Sequence, residues 1–173
     1  SSPTVTDGSV VDGNTFVGPT NATTSMTPIQ CGAVVGNKAI LQSRQYVRYI
    51  PGKSQVFFIT GVFAESINDQ ASFVLRSSTS GSPVERQVMQ ADWAIDKFDG
   101  SGPSGIVIDF TKDQILVVDA QWLSVGRLRL GFDINGILLY AHEYLNANVI
   151  SLPYTQTYNL PVRLQATTKA ATT

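Results

Sequence analysis

The chain has one cysteine, Cys31, and one histidine, His142, among its 173 residues. An intramolecular disulfide is therefore impossible, and one copy lacks the thiols and imidazoles of a usual zinc site, so no metal or cofactor is expected. Cys31 reads as a small buried apolar residue rather than a reactive thiol. Charge is scarce as well. Asp, Glu, Lys and Arg make up 14% of the residues and sum to −1, a balance that gathers neither nucleic acid nor an anionic membrane. No apolar run approaches the roughly 18 residues of a bilayer-spanning helix. No segment carries a convincing amphipathic helical period, and no internal repeat points to a propeller or β-helix.

What is present is an apolar fraction of 43% broken into short alternating segments separated by turn residues. Leu128, Leu130, Phe132 and Ile134 alternate with Arg127, Arg129 and Asp133, the period of a strand with one buried face. Asn135-Gly136 follows, a dipeptide that readily takes the positive φ angles of a type I′ turn, and a second apolar segment resumes. A hairpin is predicted, with Asn135 and Gly136 at its tip and Leu128, Leu130 and Phe132 facing the core. Further strands are expected over residues 39–50, 55–63, 71–77, 84–93, 106–110, 115–120 and 160–164, with turns at Pro51-Gly52, Ser78 to Pro83 and Asp99 to Gly105. Thr111 to Gln114 matches a capping box in form, but no helical period follows, so a single turn is expected. The pattern predicts an all-β antiparallel sandwich, of jelly-roll type, with an extended N-terminal arm.

Residues 1–30 hold seven Thr, four Ser, three Gly and three Pro, with only Asp7 and Asp12 charged. Such a segment buries too little apolar surface to order itself alone, and reads as a linker or as an arm that ties onto a neighbour. The expected organisation is an arm over 1–30, a sandwich domain over 31–165 and a flexible tail over 166–173.

No motif of catalytic strength appears, and no catalytic residue is assigned. Ser104, His142 and Asp109 supply the residue types of a hydrolase triad, but the Gly102-Pro-Ser-Gly105 context is not a nucleophile elbow. His142 reads by default as a hydrogen-bonded strand residue, facing away from its neighbour Glu143. Asp92, Asp96 and Asp99 are loosely spaced as hard-cation ligands, without the glycine and closing glutamate of a calcium loop, and are explained by turns. Arg44, Arg48 and Lys53, like Arg127 and Arg129, suit cross-strand or intersubunit ion pairs. Among the aromatics, Trp122 and Tyr154 are the ligand-binding candidates, since amphipathic rings can stack on sugars; sandwich cores and oligomer interfaces use the same residues. Asn21-Ala-Thr23 has the form of a glycosylation sequon, with meaning only in a eukaryotic secretory setting.

One long run, Gln90-Ala-Asp-Trp-Ala-Ile-Asp-Lys-Phe-Asp-Gly-Ser-Gly-Pro-Ser-Gly-Ile-Val-Ile-Asp-Phe-Thr-Lys-Asp-Gln-Ile-Leu116, resembles a recurring module of tailed-phage virion proteins. The likeness continues through Gln121-Trp-Leu-Ser-Val-Gly-Arg127 and Asn159-Leu-Pro-Val-Arg163, with Tyr49-Ile-Pro-Gly-Lys-Ser54 and Arg76-Ser-Ser-Thr-Ser-Gly81 as upstream pieces. The stretch from Ile59 to Ser72 is short against that module. The resemblance implies a non-enzymatic virion structural protein, a capsid-decoration or fibre-type component. Its expected partners are other virion proteins and further copies of itself, with a trimer favoured by analogy. The alternative is a receptor-binding module at a fibre tip that takes a host surface glycan.

Overall fold

A computed structural model describes residues 16–17, 29–30, 35–46, 48, 50, 53–63, 71–121, 125–155 and 159–167. The chain divides into two compact units, one of Ser1–Tyr49 with Thr157–Thr173 and one of Ile50–Gln156. The protein is all-β. Among the described residues every strand pairing is antiparallel, and the single helical element is a 3₁₀ turn at Gln90–Asp92.

In the first unit, β1 (Phe16–Val17) pairs with β2 (Ile29–Gln30), and β3 (Lys38–Tyr46) pairs with β10 (Pro161–Thr167). Pro161 opens its strand, the position where a missing N–H costs no ladder bond. The register is irregular between Pro161 and Arg163, where the Val162 N–H donates to the Ser43 hydroxyl at 3.0 Å. Because β10 runs to Thr167, two residues of the expected tail belong to a strand.

The second unit is built on a four-stranded sheet in the order β4 (Gln55–Gly61), β7 (Gln114–Ala120), β8 (Leu128–Ile134), β9 (Ile137–Tyr144). A separate hairpin pairs β5 (Ser72–Ser77) with β6 (Val84–Met89) around a turn closed by the Gly81 N–H on the Ser78 carbonyl. Among the described strands β7, β8 and β9 form a meander and β5 with β6 a hairpin, whereas β4 with β7 and β3 with β10 are long-range pairings.

The β8–β9 hairpin forms as its sequence predicts. Asn135 and Gly136 take φ of 55° and 83° between the paired Ile134 and Ile137, and the Asp133 carboxylate accepts the Gly136 N–H at 2.8 Å. Leu128 and Phe132 are buried and Leu130 is half-buried. They face an aromatic core in which Phe132 meets Trp93, Phe98 and Phe110, while Trp93 stacks on Phe73 at 4.6 Å. The Tyr144 hydroxyl donates to the Phe73 carbonyl at 2.8 Å, which fastens β9 to the β5–β6 hairpin.

The segment between the 3₁₀ turn and β7 corrects one expectation. Residues 106–110 are not a strand. Only one bridge, Asp99 to Val107, forms there, and Val107 is 71% exposed. The segment is organised instead by Asp96, whose two oxygens accept the backbone N–H groups of Phe98 (2.9 Å) and Ser104 (2.8 Å). Phe98 is held at φ 52° with its ring fully buried. A left-handed conformation costs a residue of this kind about 1–2 kcal/mol, and burial of the ring offsets it.

Candidate functional site

Period-two alternation would place Tyr140, His142 and Tyr144 on one face of β9. The structure separates them. Leu130 pairs with His142 but Gly131 pairs with Tyr140, so Ala141 has no opposite residue and forms a β-bulge. His142 and Tyr144 turn to the core face, and Tyr140 turns to the other face with Arg129 and Glu143. Gly131 makes this possible, because a Cβ there would lie 2.1 Å from the Leu139 carbonyl oxygen. An isolated glycine within a strand was the available sequence signal for the bulge.

The bulge creates a polar cluster on the sheet face away from the aromatic core. Asp119, Arg129 and Tyr140 meet there. The Arg129 Nε donates to Asp119 Oδ2 at 3.0 Å, its Nη2 donates to the same oxygen, and the Tyr140 hydroxyl is a third donor at 3.2 Å. The Arg129 guanidinium also lies over the Tyr140 ring, 4.0 Å from its centroid. Burial, followed by the charge of Asp119, raises the Tyr140 pKa above 10.0, so the phenol stays protonated as the donor. Arg127 and Glu143 form a looser ion pair at 3.7 Å. Asp119 is only 8% exposed, whereas the flanking Phe58 on the same face is 55% exposed.

The residues singled out in the sequence are distributed elsewhere. No hydrogen bond joins Ser104, His142 and Asp109. The Ser104 hydroxyl accepts the Ile106 N–H, Asp109 caps the turn at Thr111 and pairs with Lys112, and His142 Nδ1 accepts the Ala94 N–H at 3.2 Å. That acceptor role requires neutral imidazole. Burial lowers the His142 pKa below 6.5, against the opposing effect of Glu143.

Asp96 and Asp99 are engaged in separate turns, and no group of three metal-ligating residues occurs among the described residues. Burial works to raise the Asp96 pKa, but its hydrogen bonds from Phe98 and Ser104 outweigh this and leave it below 3.8. Tyr154 is 8% exposed. Trp122 and Cys31 lie outside the described residues, as does most of the 1–30 arm. No family model, curated protein or solved structure matches this chain.

Proposed function

We propose that the chain is a non-enzymatic structural protein of a bacteriophage particle, a capsid-decoration or fibre-type component that works by assembling through its strands with further copies and other virion proteins. The β3–β10 ribbon is the observation that carries this reading. A two-stranded ribbon is marginal in water on its own, and among the described strands this one is met mainly by the two-residue strands β1 and β2. Residues 162–165 of β10 are exposed in succession, with Val162 and Leu164 on one face of the strand. Tyr46, on the paired strand, is exposed too. A partner chain supplies the layer that such a ribbon lacks, and a surface poor in charge offers little resistance to that association. The module that the sequence resembles supplies the virion setting and favours a trimer.

The test is the mass in solution, by light scattering, of the chain with and without residues 1–30. A mass near three times the 18.7 kDa chain, reduced on removing the arm, is expected. A monomer in both forms would remove the assembly reading.

A further inference from the structure

Asn135-Gly136, at the tip of the β8–β9 hairpin, is a pair with covalent chemistry of its own. The backbone nitrogen of a residue that follows Asn can attack the Asn side-chain carbonyl carbon, and glycine hinders this least because it has no side chain. Both residues are exposed, and a Cβ built on Gly136 meets nothing within 4 Å. Two features of the folded turn oppose the attack. Asn135 has φ of 55°, and the left-handed region that allows it has ψ of about +30° to +60°. That ψ puts the Gly136 nitrogen on the side of the Cα–C bond opposite Cβ, whereas closing a five-membered ring needs the two on the same side. The Gly136 N–H is also donated to Asp133 Oδ1 at 2.8 Å, which ties the nitrogen to a partner outside that ring.

We propose that Asn135 is a deamidation site gated by its own turn: it converts only in molecules whose hairpin tip has opened locally, and the Asp133 carboxylate is the latch. In the open tip the Gly136 nitrogen attacks Asn135 Cγ. The N–Cγ bond forms, the Cγ–Nδ2 bond breaks, and the Gly136 amide proton leaves with Nδ2 as ammonia. Water then opens the succinimide. Addition at Cγ gives aspartate, and addition at the main-chain carbonyl gives isoaspartate, with no change of oxidation state in either. Both products place a new negative charge two residues from Asp133, on a chain whose formal net charge is already −1. Isoaspartate also lengthens the main chain by a methylene group, which a two-residue turn between the paired Ile134 and Ile137 does not accommodate. Asn148 is the built-in comparison. It is exposed with φ of 61°, but it precedes Val149, whose branched side chain screens the backbone nitrogen.

The test is peptide mapping by mass spectrometry of the full chain, aged in mildly alkaline buffer with and without guanidinium chloride. Asn135 should convert slowly in the folded chain and several times faster in denaturant, while Asn148 stays intact in both. Asp133→Ala should speed conversion of the folded chain roughly three- to tenfold, the weight of one hydrogen bond, and should match the parent in denaturant. Tyr144→Phe, which removes the hydroxyl that ties the far end of β9 to the Phe73 carbonyl, should leave the folded rate unchanged. The proposal is overturned if folded and denatured chains convert at the same rate, or if the gain in Asp133→Ala persists in denaturant. It is equally overturned if Asp133→Ala is no faster than the parent, or slower, as it would be were the carboxylate a general base for the attack. A gain in Tyr144→Phe equal to that in Asp133→Ala would overturn it too, since the tip would then open only with the whole sheet.

Discussion

The two faces of the sheet built from β4, β7, β8 and β9 share one backbone and differ only in alternate residues. On one face Phe132 is 2% exposed and touches three other aromatic side chains. On the other, Phe58 is mostly exposed, and the middle holds the buried Val117 beside an ion pair leaning on a tyrosine. Rings on the two faces therefore do different work. Where another layer covers the strand, the ring contributes burial energy. Where none does, the ring is surface and contributes little burial energy.

The sharpest way to break this contrast is to delete a ring from each face. Phe132→Ala should cost about 3–5 kcal/mol in urea unfolding, through lost transfer energy and the cavity left behind. Gly131→Ala comes next. Its new Cβ would meet the Leu139 carbonyl and the Tyr140 Cα, both backbone atoms, so the bulge must shift at a cost of about 2–3 kcal/mol. The Arg129–Tyr140 contact should be lost with it, visible as a change in near-ultraviolet circular dichroism.

A smaller effect belongs to His142. Its folded-state pKa lies below 6.5, so the unfolded chain takes up the proton first. Stability should be full above pH 6.5 and decline as pH falls through that value. His142→Gln should flatten this part of the profile. The turn carboxylates Asp96, Asp99 and Asp109, with pKa values held below 3.8, would still give a separate loss at lower pH. The smallest effect is expected at Phe58→Ala, within about 0.5 kcal/mol of the parent in the same unfolding experiment. A loss as large as that of Phe132→Ala would show that the open face is buried in solution.

Local chemistry was legible in the sequence and long-range partnership was not. The β8–β9 hairpin could be read because its strand period and its turn residues lie within one short stretch. Residues 106–110 were misread because Ile106, Val107, Ile108 and Phe110 look like a buried strand when counted alone. Their backbone groups are in fact engaged by Ser104, Phe98 and Gly100, contacts that apolar counting does not see. The Asp119–Arg129–Tyr140 cluster was hidden for a different reason. Its members fall on one face only because the bulge at Ala141 moves Tyr140 across the sheet, and Gly131 was the sole local hint. Pairing of β3 with β10, whose hydrogen-bonded Ser43 and Val162 are 119 residues apart, leaves no local signature at all.

The segment from Trp93 to Ile108 has no helix and no extended strand, yet most of its amide hydrogens are spoken for. Those of Ile95 and Asp96 both end on the Ala141 carbonyl at 3.0 Å, and those of Ala94, Phe98, Gly100, Ser104, Gly105, Ile106 and Ile108 have acceptors of their own. Irregular backbone is usually where amides exchange with solvent fastest and where proteases cut first. Here the reverse follows. The amides of Ile95 and Asp96 can exchange only when the segment lifts away from the bulge, so they should keep time with the sheet rather than with the surface. A stretch that looks like a loop on paper would be among the last places at which this protein is nicked.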